Sequence, residues 1–239
     1  MTNYLALPPG DESPYVLNAV IEIPKGANHK YEYDKDLNVF RLDRILFSPV
    51  HYPGAYGFIP QTLGEDGDPL DVVVSIDGET FTGCVIEVRP LGVLVMRDDM
   101  GLDHKILAVP ACDPRMHEVH GLQHLPSHYL KEIDYFFQIY KELEGKQSDT
   151  YGWEDRVAAF RVIEESLEAY RDYQAGMIDR WRSPTDKGRR LMARRKAHAA
   201  VLERGADAAA IDSQIDDTDV PVAAELPDGS DDQDQESHE

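Results

Sequence analysis

Apolar and polar residues alternate in short runs over the first half of the chain. The runs are Val16–Ile23, Lys30–Tyr33, Val39–Leu42, Val72–Ile76, Gly83–Met96 and Lys105–Val109, separated by Pro, Gly and Asp. That spacing predicts an all-β barrel or sandwich. Near residue 125 the period changes. Pro126–Leu143 places Leu130, Ile133, Phe137 and Tyr140 at helical spacing ahead of Gly145, which predicts a first helix. Trp153–Tyr173 predicts a second, with Val157, Phe160, Ile163 beside Glu164, and Leu167 on one face. The expected fold class is mainly β with flanking helices, α+β: a barrel with two core helices.

Charge divides the 239 residues into three parts. Residues 1–173 carry 15 Lys+Arg against 30 Asp+Glu, a balance of −15; residues 174–205 carry 9 against 3, or +6; residues 206–239 carry 0 against 12, or −12. The last part also lacks aromatics, so it buries too little apolar surface to offset chain entropy and is expected to be a disordered acidic tail. In the middle part, Ser183-Pro184-Thr185-Asp186 is a helix start and Gly205 an end, which predicts a basic helical extension without a clean apolar stripe. The expected folded domain is therefore 1–173.

Several function classes fall away on composition. The net charge of −21 opposes nucleic-acid phosphate as main ligand. Apolar stretches such as Val93–Met96 fall far short of the ~20 residues of a membrane span. The opening MTNYLALPPG lacks a basic n-region, so no secretory signal is expected. Two cysteines, Cys84 and Cys112, suit a reducing compartment and are expected to be buried small residues. A cytoplasmic protein follows as the expectation.

The candidate chemistry is acidic. Glu65-Asp66-Gly67-Asp68-Pro69-Leu70-Asp71 holds four carboxylates in seven residues, and Gly67 with Pro69 dictates a turn. Converging carboxylates repel unless one protonates or a cation lies between them, and such hard oxygen donors favour Mg²⁺, Mn²⁺ or Ca²⁺. An EF-hand fails on spacing, because Asp71 stands where the loop requires Gly. A second acidic turn, Arg97-Asp98-Asp99-Met100-Gly101-Leu102-Asp103-His104-Lys105, follows the strand ending near Met96. Read separately, each is a solvated turn; read together, they can face each other across a barrel mouth and hold several metals.

Cationic and phenolic groups form a third set. Lys30 and Glu32 lie two apart on a strand and share a face. Arg44 follows another strand, Tyr52 and Tyr56 lie in HYPGAYGFIP, read as an irregular loop, and Tyr140-Lys141 ends the first helix. Beside the aspartates they describe a pocket for metal-bound phosphate. His117, His120, His124 and His128 make a tempting cluster, but Gly121 and Pro126 interrupt any helix that would align them, so they read as surface histidines.

Over roughly residues 14–172 these ordered segments resemble the soluble inorganic pyrophosphatases of family I. The resemblance rests on VIEIPKGANHKYEYD, the LDR around Arg44, YPGAYGFIP, EDGDPLDVVV, RPLGVLVMRDDMGLDHK, FFQIYKELE and YGWED. DGDPLDV, Asp66–Val72, is similar to that family's signature. Asp103-His104-Lys105 does not match the DHH motif of family II. The resemblance implies a five-stranded OB-like barrel and Mg²⁺-dependent hydrolysis of pyrophosphate to two phosphates, with several Mg²⁺ ions per site and Mn²⁺ or other divalent ions as substitutes. It further implies Asp66, Asp71, Asp98 and Asp103 as metal ligands, with Glu32 reaching a further metal through water. Asp68 matches the proton acceptor. Lys30, Arg44, Tyr56, Lys105, Tyr140 and Lys141 match phosphate contacts, and Glu22 and Tyr52 the groups that support them. Asp99 departs from a common bacterial version, which has Glu. A homo-oligomer is implied, a hexamer in the bacterial type. The competing readings are a metal-dependent phosphatase of larger phosphate esters and an OB-type nucleic-acid-binding module. The second needs a basic groove with exposed aromatics, against a catalytic-domain balance of −15.

Overall fold

The computed structural model describes residues 2–98 and 101–177. The predicted basic helix, the acidic tail and Asp99 lie outside the described residues. Nine strands and two α-helices follow in the order β1 (Leu17–Ile23), β2 (His29–Asp34), β3 (Val39–Ile45), β4 (Ala55–Phe58), β5 (Asp71–Val74), β6 (Val85–Asp98), β7 (Gly101–Leu102), β8 (Lys105–Pro110), α1 (Ser127–Ile139), β9 (Ser148–Glu154) and α2 (Arg156–Gln174). The main sheet runs β1-β4-β5-β8-β6 and closes on itself through a β1–β6 pairing. This ring of five strands is OB-like, as expected. Its β5–β8 pair is parallel and the other ring pairs are antiparallel.

The period-2 geometry of strands explains how one ring serves two cores. Val72 and Val74, Val93, and Ile106 with Ala108 point to one cluster, which α2 completes with Ala159, Val162 and Ile163. Their neighbours Val73, Leu94 and Leu107 point the other way, to a cluster completed by Ile133, Phe136 and Phe137 of α1. β6 reaches from one end of the ring to the other. It pairs with β1 through Leu17↔Val88 and with β9 through Asp98↔Ser148. Its only break in register toward β8 falls between Pro90 and Gly92, where a residue without an amide hydrogen is tolerated. At Gly57 the chain has no alternative to glycine, because an added Cβ would lie 1.8 Å from the Val20 carbonyl oxygen. β4 thereby lies tightly on β1.

Several elements depart from expectation for identifiable reasons. β4, β7 and β9 are additional strands, β7 being only the two-residue return Gly101–Leu102 of the second acidic turn. β4 is buried at all four positions, so it shows no alternation. β9, SDTYGWE, is largely polar and is ordered by pairing with β6 rather than by its own propensity. The first helix stops at Ile139; Tyr140 caps it, and a 3₁₀ turn, Glu142–Glu144, runs into a left-handed Gly145. The second helix starts at Arg156 because Asp155 accepts from the Ala158 amide at 2.9 Å. Trp153 instead belongs to β9, where its indole donates to the Leu130 carbonyl of α1. The buried face of α2 is Ala158, Ala159, Val162, Ile163 and Ser166, while Val157 is exposed. Ile163 is buried as expected, and Phe160 and Leu167 pack against the core; small residues beside them let the helix approach the sheet closely, and only Val157 falls outside the buried face. Cys84 is half-buried and Cys112 exposed, against the expectation for both. No described helix is long and apolar enough to cross a membrane.

Candidate functional site

Ring strands, the β2–β3 hairpin and the end of α1 gather the candidate side chains. β1 contributes Glu22, whose Oε1 accepts from the Tyr33 amide at 2.7 Å. β2 contributes Lys30 and Glu32, which share a face as their spacing requires and form an ion pair. β4 contributes Tyr56, and Tyr52 precedes it; both rings are buried against α1, with Tyr52 and Phe136 centroids 4.8 Å apart. The turn before β5 carries Asp66 and Asp68. Asp66 Oδ1 accepts from the Asp68 amide at 3.0 Å, and Gly67, at φ 87°, provides the left-handed conformation. Asp71 opens β5 and Lys105 opens β8, and the parallel register sets these two residues opposite each other.

The second acidic turn comes in from the other side. Asp98 ends β6, and Asp103 is held by its own amide donating to the Met96 carbonyl at 2.9 Å. Tyr140 caps α1, and Lys141 beyond it donates to Asp98 Oδ2 at 2.9 Å. The two Asp-rich turns therefore line one cavity of about 270 Å³, together with Lys30, Lys105, Lys141, the phenols of Tyr52, Tyr56 and Tyr140, and both glutamates. Every candidate site residue lines it except Arg44. Arg44 stands opposite Lys30 in the β2–β3 register, but its guanidinium donates to Glu144 at 2.8 Å and to Asp43.

Electrostatics at the site follow from burial. Lys105 is 1% exposed, and its ammonium is held by Asp71 and Asp103. Burial disfavours its charge, but the two carboxylates outweigh that and hold its pKa well above the usual lysine value. Burial pushes Asp103 up, with Lys105 pulling the other way. Asp66 is pushed up to about 7 by burial and then by the charges of Asp71 and Asp103. Glu22 is pushed up to about 8, chiefly by burial. The three phenols are raised for the same reason and stay neutral donors near neutral pH.

These carboxylates have more negative charge than the local cations can comfortably hold in a half-closed cleft, which is the condition that recruits a cation. Among the described lining residues the charged donors are carboxylate oxygens and ammonium groups, without thiol or imidazole. That donor set fits a hard divalent cation. The carboxylates are spread around the walls: among the described residues, no group of three or more His, Cys, Asp or Glu side chains is close enough to enclose a metal. The four histidines, all exposed, are likewise no metal cluster.

Residues that pattern reading missed also belong to the site. Lys35, on the turn between β2 and β3, lines the cavity and stands 3.6 Å from Asp68 Oδ1. Tyr33 and Leu5 line it too. Asp43 and Glu144 secure Arg44. Only Lys35 left a trace in sequence, as a second lysine near Lys30; the fold of the hairpin decides that it faces the acidic turn.

A cleft of carboxylates answered by lysines and phenols on an OB-like barrel defines a centre that handles a polyanion together with cations. Comparison with known proteins narrows this. The family profile described as inorganic pyrophosphatase matches residues 19–171. An inorganic pyrophosphatase of Halalkalibacterium halodurans is 51% identical over 158 residues, 66% of this chain and 97% of that one. One from Haloferax volcanii is 49% identical over 164 residues, 68% of this chain and 93% of its own. The crystal structure of inorganic pyrophosphatase from Thermus thermophilus superposes with a TM-score of 0.69 at 43% identity, covering 71% of this chain and 99% of that one. The chain belongs to the inorganic pyrophosphatase family, and is a hydrolase.

Proposed function

We propose that the protein hydrolyses inorganic pyrophosphate to two phosphates, with Mg²⁺, by direct attack of water. The observation that carries this reading is the convergence of Asp66, Asp68, Asp71, Asp98 and Asp103 with Lys30, Lys105 and Lys141 in a single small cavity. A compact polyanion needs cations and neutral donors around it, and acidic groups that can hold those cations.

In this reading Asp66, Asp71, Asp98 and Asp103 hold the divalent cations, and Glu32 assists through water. When bound, such cations neutralise phosphate oxygens and acidify water. Lys30, Lys105 and Lys141 bind the phosphates as charges, and Tyr56 and Tyr140 as neutral donors whose raised pKa keeps the proton in place. Arg44 joins them by exchanging Asp43 or Glu144 for a phosphate oxygen. Asp68 is open to solvent, with 71% of its side chain exposed, and its Oδ1 lies 3.6 Å from the Lys35 ammonium. It takes the proton from the attacking water. Glu22 ties β2 to β1 at the cavity through the Tyr33 amide, and Tyr52 packs behind Tyr56. Among the described residues, no serine or cysteine nucleophile lines the cavity, which supports a route without a covalent intermediate. The expected setting is a cytoplasmic homohexamer, and the expected catalytic unit is residues 1–173.

The test compares phosphate release from pyrophosphate, ATP and a phosphomonoester in Mg²⁺. Clear preference for pyrophosphate is expected; equal rates on all three would return the reading to a general phosphatase.

A further inference from the structure

The hairpin β2–β3 carries Lys30 and Glu32 to the cavity, and its turn carries Lys35. Yet it forms a separate two-stranded sheet, without a ladder to the barrel ring. An isolated pair of strands is marginal in water, so side chains must hold it in place. One tie is Glu22 to the Tyr33 amide. Another is the segment Asn3–Leu7. Its 3₁₀ turn, Tyr4–Ala6, is capped by Asn3. From this turn the Tyr4 ring meets Tyr33 edge-on at 5.4 Å and Phe40 at 5.1 Å, one aromatic from each hairpin strand. The Tyr4 amide donates to the Tyr33 hydroxyl at 3.2 Å, and that hydroxyl also bonds Asn38 at 2.7 Å. The next residue, Leu5, itself lines the cavity.

We infer that Tyr4 is a positioning residue for pyrophosphate binding. Its hydroxyl lies at Gly83 before β6, where an added Cβ would meet it at 3.0 Å, and Gln61 donates to the Ala6 carbonyl at 3.3 Å. So anchored, its ring clasps the β2–β3 hairpin against the barrel and thereby holds Lys30, Glu32 and Lys35 at the cavity wall. Aromatic pairs of this geometry contribute beyond their buried area, and two of them converge here on an element that has no ladder to the ring. Tyr4 touches no substrate in this scheme. It acts by removing the entropy that the hairpin would otherwise lose on binding the polyanion. The inference rests on the pyrophosphatase reading above.

The experiment compares wild type, Tyr4→Ala and Tyr4→Phe in full-length protein. Hydrogen exchange by mass spectrometry is measured without substrate, and kinetics with pyrophosphate in Mg²⁺. Tyr4→Ala is expected to speed exchange at least tenfold across residues 29–45 while residues 55–74 keep wild-type protection. KM is expected to rise about tenfold with kcat within about threefold. Tyr4→Phe keeps both rings in contact and is expected to restore both readouts. Unchanged hairpin exchange, faster exchange spread over the barrel, faster hairpin exchange with wild-type KM, or failure of Tyr4→Phe to rescue would each overturn the role of Tyr4. Failure of wild type itself to hydrolyse pyrophosphate would instead overturn the functional reading.

Discussion

Asp71 and Lys105 stand opposite each other across the parallel β5–β8 pair, 34 residues apart in sequence, and the buried ammonium of Lys105 is shared between Asp71 and Asp103. In the metal-free protein this cation is what lets two carboxylates occupy one wall. Lys105→Met is expected to lower the stability of the metal-free protein by about 3–5 kcal/mol, the usual loss when one partner of a buried pair is removed. Mg²⁺ should restore much of it by replacing the missing charge. Urea denaturation with and without Mg²⁺ checks this, and an equal loss in both conditions would contradict it.

Asp68 lies between two residues assigned to metal and is itself open to solvent. Asp68→Asn should keep the fold and Mg²⁺ affinity while lowering kcat by ~10²–10⁴. Near-normal turnover in the purified variant would remove Asp68 from the proton-accepting role.

Ligands and phosphate contacts should separate in a metal titration. Asp71→Ala or Asp103→Ala is expected to raise the Mg²⁺ concentration for half-maximal activity by about tenfold or more, through loss of a carboxylate donor. Arg44→Ala and Tyr140→Phe should leave Mg²⁺ binding to the free enzyme unchanged, measured by calorimetry, and act on pyrophosphate KM or kcat. Identical Mg²⁺ curves for all four variants would defeat the ligand assignment.

Glu22 makes a pH prediction for metal-free protein. Burial raises its pKa from the ordinary 4.5 to about 8, so between those values the folded protein keeps a proton that the unfolded chain has released. Stability from this group is complete below 4.5 and lost as pH rises through 8, with a slope on the order of 1 kcal/mol per pH unit. Melting temperature should therefore fall between pH 5.5 and 8.5, and Glu22→Gln should flatten that fall. A parallel pH profile in the variant would show that other groups cause it.

α2 closes with Gly176 in the left-handed region and the Met177 amide bonded to the Asp172 carbonyl at 3.0 Å. Removing residues 178–239 preserves this ending, and every proposed site residue lies before 142. Pyrophosphate hydrolysis, melting temperature and oligomer mass are expected to match the full-length protein. A large fall in any of them would make the extension structural.

Where residue type and spacing alone carried the information, the site was legible. Lys30 and Glu32 share a face because strands alternate, and the Gly67–Pro69 turn keeps Asp66, Asp68 and Asp71 together. What spacing could not supply was the relation between distant segments. Lys35 reaches Asp68 only through the hairpin's placement, and Glu144 meets Arg44 across 100 positions. The fold was less readable where packing overrides pattern. Gly57 and Pro53 make the β4 segment look like a loop although its backbone is paired on both sides. On α2 the pattern found Ile163, Phe160 and Leu167 but included the exposed Val157 and passed over the small buried residues Ala158, Ala159 and Ser166.

The β1–β6 pairing that closes the ring joins Leu17 to Val88, and Tyr140 and Lys141 come later still in the chain. Contacts of such long sequence separation form late, after the costly closure of a long loop. No half of the sequence holds a cavity by itself: β1 gives Glu22, β8 gives Lys105, and the far wall waits for α1. A chain that ends before α1 is therefore expected to lack pyrophosphate hydrolysis. In refolding, the return of activity is expected to wait for both the closing of the ring and the docking of α1.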